Sequence, residues 1–167
     1  MTTYADVKER VQDTLKAICL TDDVALTVVD YSLPSYEERM FVFNVDKDLV
    51  DHHLVAHGSG SGSPTDISKA VFFSNVPNSL CSCLGVFKTD GRYVGKHGQS
   101  LRIRGMSPTN SNAEMRDIVV HGSYYVNDHL ASIHRIGRSW GCLAVDMTVI
   151  GDVMDEVEGG LIVSIYK

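Results

Sequence analysis

Gly137-Arg138-Ser139-Trp140-Gly141-Cys142 is the stretch on which the fold of this chain turns, because it carries two incompatible signatures. Read as Gly-x-Ser-x-Gly, it is the strand-to-helix elbow of a doubly wound α/β hydrolase, with Ser139 as nucleophile. That fold places its triad in the order serine, acid, histidine, so a histidine must follow the serine. All seven histidines precede Ser139, the last being His134, and 167 residues are too few for the hydrolase core. The elbow is rejected, and the doubly wound sheet goes with it. The second signature centres on Cys142, whose thiolate attacks when a neighbouring base takes its proton.

Outward from Cys142, the candidate bases are His57, His97, His121, His129 and His134. Asp117-Ile118-Val119-Val120-His121-Gly122 reads as a strand running into a glycine, which sets His121 at a strand end facing a cleft. His129 and His134 fall in a polar connection and read as surface residues.

The rest of the pattern is β-rich. Val24 to Asp30, Met40 to Val45 and Leu49 to His57 are strands, with Asp46-Lys47-Asp48 as a hairpin turn. Further strands are expected at Ala70 to Phe73, Cys83 to Lys88, Ser100 to Arg104, Asp117 to His121 and Leu161 to Tyr166. Val7, Val11, Leu15 and Ile18 form one apolar stripe, predicting a helix over Tyr4 to Cys19. Ile150, Val153, Met154 and Val157 form another, with Asp146 as N-cap and Gly159-Gly160 as the stop. Gly58-Ser59-Gly60-Ser61-Gly62-Ser63-Pro64 reads as a mobile loop within one domain, since strands continue on both sides. Met106 to Asn112 is a second polar loop. The expected architecture is mainly β, of α+β type, in one domain over 1–167, with a helix at 1–20 packed on it and another after Cys142.

Composition bounds the function. Fifteen Lys plus Arg against 21 Asp plus Glu give a net charge of −6, and no basic run interrupts it. Nucleic-acid and anionic-membrane partners both require a positive surface, so neither is expected. The longest apolar stretches, such as Leu161-Ile162-Val163, are far from the roughly 20 residues of a membrane span. Met1 to Asp6 shows neither the basic nor the apolar run of a signal peptide. Cys19, Cys81, Cys83 and Cys142 lack the dense spacing of a disulfide framework. Cys81 and Cys83 lie two apart and would face opposite sides of a strand, so they are not expected to bond each other. His52-His53-x-x-x-His57 invites a zinc reading, but on a strand only His53 and His57 share a face. No Cys-x-x-Cys or His-Glu-x-x-His accompanies them, so no metal or other cofactor is expected.

At this point an ordered set of motifs resembles a family. His121-Gly122, followed 17 residues later by Ser139-Trp140-Gly141-Cys142, is similar to the His-Gly and Ser/Thr-x-Gly-Cys signature of L,D-transpeptidase catalytic domains. The resemblance runs from about Ala5 to Lys167. It includes Val28-Val29-Asp30-Tyr31-Ser32-Leu33-Pro34-Ser35, Val55-Ala56-His57-Gly58, Gly85-Val86-Phe87, Gly95-Lys96-His97-Gly98-Gln99-Ser100-Leu101-Arg102 and Gly159-Gly160. It looks like the branch with Trp or Gln at position 140. Most members carry His there and Arg or Asn two residues after the cysteine, where this chain has Ala144, and the branch usually has proline at the position of Leu143.

The resemblance implies a β-rich fold and a cysteine enzyme acting on peptidoglycan tetrapeptide stems. It would release the terminal D-alanine through a thioester and cross-link to an acceptor amine. Cys142 is then the nucleophile, His121 the base, and the Gly122 carbonyl the group that orients the imidazole. The Trp140, Gly141 and Cys142 N–H groups are the expected oxyanion donors. A tryptophan at position 140 cannot anchor a carboxylate, so Arg138, and second Arg102, are expected to do so. Ser139, His97, Ser100 and Tyr125 are expected along the substrate groove, and His57 at its rim. The family also implies carbapenem-type inhibitors and a periplasmic or secreted location. The alternatives are an L,D-carboxypeptidase, a secreted wall-targeting effector with the same nucleophile, a catalytically silent peptidoglycan-binding module, and a generic cysteine protease.

Overall fold

Apolar runs of Leu, Val, Met and Phe build β1 (Leu26–Asp30) and β2 (Met40–Phe43), and the more polar β3 (Leu49–His53) follows. They pair as antiparallel neighbours, and the Asn44 N–H donates to the Asp48 carbonyl (3.1 Å) to close the turn between β2 and β3. The computed structural model describes residues 9, 24–46 and 48–166. Apart from Glu9, the helix expected over Tyr4 to Cys19 lies outside the described residues, as does Lys47 of the turn.

A long hairpin follows, β4 (Gly85–Gly95) and β5 (Gly98–Gly105), then β6 (Val119–Ser123) and the short helix α1 (Asp128–Ser132). The chain ends with β7 (Leu143–Asp146), α2 (Ile150–Val157) and β8 (Leu161–Ile165). All eight strands join one sheet in the order β3-β2-β1-β8-β4-β5-β6-β7. The β1–β8 and β6–β7 pairs are parallel and the others antiparallel. Beyond β3, the Ala56 N–H donates to the Ala144 carbonyl (2.9 Å), so the two ends of the sheet meet at the start of β7.

The core follows from the pleat. Val29, Met40, Val42, Phe87 and Ile162 pack on one face with Ile150, Val153, Met154 and Val157, the predicted stripe of α2. Each such side chain, fully removed from water, contributes roughly 1.5–3 kcal/mol. Leu26, Val28, Phe41, Phe43 and Val163 form a second cluster on the opposite face.

Several sequence expectations change. Ala70 to Phe73 is not a strand: Ala70 only bridges Gly62, and the Val71 and Phe72 N–H groups both turn to the Ser61 carbonyl. The strand at Cys83 to Lys88 begins instead at Gly85 and runs on to Gly95, because β5 pairs with it even where its residues are polar. Asp117 adopts a left-handed φ of 53°, so β6 starts only at Val119. Asp146 ends β7; its carboxylate accepts from the Thr148 N–H (2.8 Å) and hydroxyl (2.9 Å), and the N-cap position is Val149. Strand β7 and helix α1 were not anticipated. The signal for α1 was Asn127, whose Oδ1 accepts from the Leu130 N–H at 2.9 Å.

The Gly58–Pro64 stretch is packed rather than loose. Ser59–Ser61 is a single 3-10 turn, and Ser61 is fully buried, its hydroxyl accepting from the Ser82 N–H at 2.9 Å. A Cβ at Gly58 would lie 2.2 Å from the Leu80 carbonyl oxygen, so the glycine allows a backbone contact that composition alone reads as flexibility. The Ser59 N–H donates to the Ser139 carbonyl (2.8 Å), which sets this loop directly beneath the Gly137–Cys142 stretch.

Candidate active site

Ser139 organises the turn that presents Cys142. Its buried hydroxyl donates to the Cys142 carbonyl (2.8 Å) and accepts from the Gly141 N–H (3.1 Å). Gly141 has φ +119°, and a Cβ there would lie 2.7 Å from the Cys81 carbonyl and 2.8 Å from Ile118 Cδ1. Only glycine fits both demands. The turn delivers a partly exposed Cys142 whose thiol donates to the Asp117 carbonyl at 3.4 Å.

The partner strand places His121. In the parallel β6–β7 register Val120 lies beside Leu143 and His121 beside Ala144. Cys142 immediately precedes β7, so the turn delivers it beside the strand that carries His121. His121 is buried, with Nδ1 2.9 Å from its neighbour's carbonyl oxygen, Gly122 O. A carbonyl only accepts, so Nδ1 carries the proton and Nε2 the basic lone pair. Gly122 is also pressed against the start of α2: a Cβ there would be 3.1 Å from Ile150 Cγ2 and Met147 Cα.

The β4–β5 turn leans over this pair. Gly95 pairs with Gly98, leaving Lys96 and His97 as the two turn residues. The His97 ring stacks on the His121 ring with centroids 4.2 Å apart and planes 15° apart. Lys96 Nζ lies 5.9 Å from the ring centre of Trp140, which is 70% exposed.

The electrostatics favour an uncharged pair. Burial pushes the Cys142 thiol up, and Asp117 adds to this, against the pull of a hydrogen bond from Val119 and the positive charges of Lys96 and Arg116. Burial pushes His121 down, helped by His97 and Lys96 and opposed by the Gly122 hydrogen bond. Both shifts favour a neutral thiol and a neutral imidazole.

The other expected residues divide. Ser100 is buried in register with His121, its hydroxyl donating to the Gly98 carbonyl (3.2 Å). Arg102 packs its guanidinium on the Tyr93 ring (4.1 Å) and, with Tyr93, Asp117 and Val119, lines a pocket of about 200 Å³ beside the backbone that contacts Cys142. Arg138 is exposed. Tyr125 is half-buried and braces the turn: its carbonyl accepts from the Gly137 N–H (2.8 Å), and its ring fills the space where a Gly137 Cβ would be. The Gly141 N–H, one of three expected oxyanion donors, is engaged by Ser139 Oγ.

His57 is not at a rim. It is wholly buried, and Nδ1 lies 2.9 Å from Nη2 of the equally buried Arg39. His52 pairs with Glu38 (2.7 Å) and His53 with Glu156 (2.9 Å). Among the described residues, Asp51, His53 and Glu156 are the group whose donor atoms, all within 4.8 Å of one another, could hold a cation; His53 Nε2 already bonds Glu156 Oε2 (2.9 Å). Cys81 and Cys83 are free and buried.

Three contributors escaped sequence reading: Asp117, whose carbonyl accepts from the thiol; Lys96, whose charge acts on both Cys142 and His121; and Arg39 under His57. A turn lysine and a buried arginine carry no local signal for such roles. An Asp after a polar loop does hint at a left-handed turn.

A model of the L,D-transpeptidase catalytic domain matches residues 4–166. No curated protein matches the chain. Among solved structures, the chain is similar to L,D-transpeptidase 1 of Mycobacterium tuberculosis, with 12% identity and a TM-score of 0.45, over 86% of this chain and 62% of that one. It is also similar to an L,D-transpeptidase of Xylanimonas cellulosilytica, with 13% identity and a TM-score of 0.46, over 92% of this chain and 68% of that one. A mutant of the Enterococcus faecium L,D-transpeptidase gives 14% identity and a TM-score of 0.45, over 85% of this chain and 50% of that one. The chain thus spans between one half and about two thirds of the solved chains it resembles.

Proposed function

The chain belongs to the L,D-transpeptidase catalytic-domain family, and on that premise we propose that it cleaves the L,D-peptide bond of peptidoglycan tetrapeptide stems through a Cys142 thioester. The observation that carries the proposal is the His121 ring, held at Nδ1 by Gly122 O with Nε2 left as base, on the strand paired with the one that Cys142 precedes.

His121 Nε2 takes the thiol proton as sulfur attacks the carbonyl carbon of the third stem residue. The Trp140 and Cys142 N–H groups face the developing oxyanion, while Gly141 spends its own on Ser139. The tetrahedral intermediate collapses, the imidazolium passes its proton to the departing D-alanine amine, and a thioester remains. An acceptor amine attacks that thioester, with its proton going to His121, and the cross-link forms as the thiolate leaves and is reprotonated. Water in place of the amine gives a tripeptide, the carboxypeptidase outcome. Arg102 lines the groove beside Asp117 and supports binding of the stem's carboxylate, with exposed Arg138 as the second cation. Ser100 and Ser139 serve by holding His121's neighbour strand and the nucleophile turn. A wall substrate places the working protein in the periplasm or outside the cell, and a carbapenem should acylate the same sulfur.

The test is incubation with a disaccharide tetrapeptide, followed by mass spectrometry of protein and products. D-Alanine release with a transient acyl adduct is expected, and both should vanish in Cys142→Ala. Release that persists in that variant would falsify the proposal. Adding an acceptor stem separates the outcomes, since a dimer marks transpeptidation and a tripeptide marks hydrolysis.

A further inference from the structure

We propose that His97 is a positioning residue for the catalytic base: the β4–β5 turn lays its ring flat on His121 and so fixes the plane in which that base meets Cys142. The inference deepens the proposed function and rests on it for the identity of the base.

The geometry gives two constraints on one imidazole. Gly122 O holds His121 at a single atom, Nδ1, and one hydrogen bond leaves the ring free to tilt about that contact. The stacked His97, 4.2 Å away and within 15° of parallel, covers a ring face and removes that freedom. The turn is suited to the task. Its two residues are clamped between the paired Gly95 and Gly98, and Gly98 takes a φ of +77° that closes it tightly. Lys96 reaches in the other direction, its Nζ 5.9 Å from the Trp140 ring centre, so the same two-residue tip lies near both His121 and Trp140. His97 itself is largely exposed, so its ring is held by this contact rather than by a core.

The groups facing His121 are His97 and Lys96 from the turn, Ser100 in register on β5, Ala144 in register on β7 and the Gly122 carbonyl on its own strand. His97 and Lys96 disfavour the imidazolium, the form that cannot accept the thiol proton. The stack therefore does two things: it orients the base and keeps it a base. This assigns His97 to the catalytic pair instead of to the substrate.

The experiment compares wild type, His97→Ala and His97→Phe in carbapenem acylation rate against pH, alongside NMR titration of the His121 imidazole. In His97→Ala the maximal acylation rate should fall about tenfold, with little change in half-saturating concentration, and the His121 midpoint should move up. His97→Phe restores a flat ring and should recover most of the maximal rate. A loss confined to half-saturation would make His97 a substrate contact and overturn the inference, as would failure of phenylalanine to rescue. An unmoved His121 midpoint together with an unchanged rate in His97→Ala would overturn it too. Wild type that takes no acyl group at all would count against the proposed function, while the imidazole titration still decides whether the stack acts on His121.

Discussion

Nη2 of Arg39 lies 2.9 Å from Nδ1 of His57, and neither side chain exposes any surface. Guanidinium only donates, so His57 accepts at Nδ1 and is neutral with its proton on Nε2. Arg39 spends its other donors on the Val55 carbonyl (3.0 and 2.8 Å) and the Leu33 carbonyl (2.9 Å), and packs over Tyr31. Burial first, then Arg39 and Arg138, hold His57 down to about 3. In the unfolded chain the same histidine takes a proton near pH 6.5. The unfolded state thus binds more protons between those values, and stability falls as pH drops from about 6.5 toward 3. His121 is shifted in the same direction. The unfolding free energy from urea titrations at pH 7, 5.5 and 4 should decline by an amount on the order of a few kcal/mol, and His57→Gln should flatten the decline. A level wild-type profile would contradict this account.

Cys142 should alkylate slowly at neutral pH. Burial holds its thiol up, so the iodoacetamide rate should climb only at pH above the usual cysteine range of about 8.5. Lys96 favours the thiolate, so Lys96→Met should push the midpoint higher and slow alkylation at pH 8. Cys81 and Cys83 are buried and should stay unlabelled in native protein, which peptide mapping reads directly.

Gly141→Ala should fail on two counts. The left-handed φ disfavours any Cβ, and the added carbon meets the Cys81 carbonyl at 2.7 Å. A loss of about 1–3 kcal/mol in chemical denaturation is expected, together with loss of acylation because the nucleophile turn moves. Retained Tm and full acylation would show that the turn has another way to form.

Ser139→Ala and Trp140→Ala should part company, although the residues are adjacent. Ser139 Oγ bridges the Gly141 N–H and the Cys142 carbonyl, so its removal should cost roughly 1–2 kcal/mol in stability and lower the acylation rate. Trp140 is 70% exposed, and its truncation should leave stability within about 0.5 kcal/mol of wild type. Thermal melts of the two variants, run side by side, make the comparison.

Arg102→Ala tests the groove. Its guanidinium stacks on Tyr93 at the pocket shared with Asp117 and Val119. Loss of one charged contact should raise KM for the tetrapeptide about tenfold, with kcat little changed. A fall in kcat alone would move Arg102 from binding to the support of β5.

What could be read in the chain, and what could not, separates along one line. The strands at Leu26–Asp30, Met40–Phe43 and Leu161–Ile165 were legible because burial on both faces leaves short continuous apolar runs, and the stripe of α2 because burial of one face imprints a period of 3.6. Cys142 and His121-Gly122 were singled out by motif spacing, although His121 lies in the middle of β6 and not at a strand end. Strand β7 was not, since four residues beside a catalytic turn show little periodicity, and its place is set by β6 and by Ala56 from the other end of the sheet.

The same reason governs the chemistry. By itself the sequence singled out a cysteine, a histidine and the glycine after it on a β-rich frame. Only the tertiary structure decided that His57 is buried on Arg39 rather than lining a rim, that the Gly/Ser run packs under the Gly137–Cys142 turn, and that His97 lies flat on His121. Periodicity and motif report each segment's own preferences. A side chain's charge state and orientation are sums over groups brought together from segments far apart in the chain, and those sums exist only once the sheet has closed.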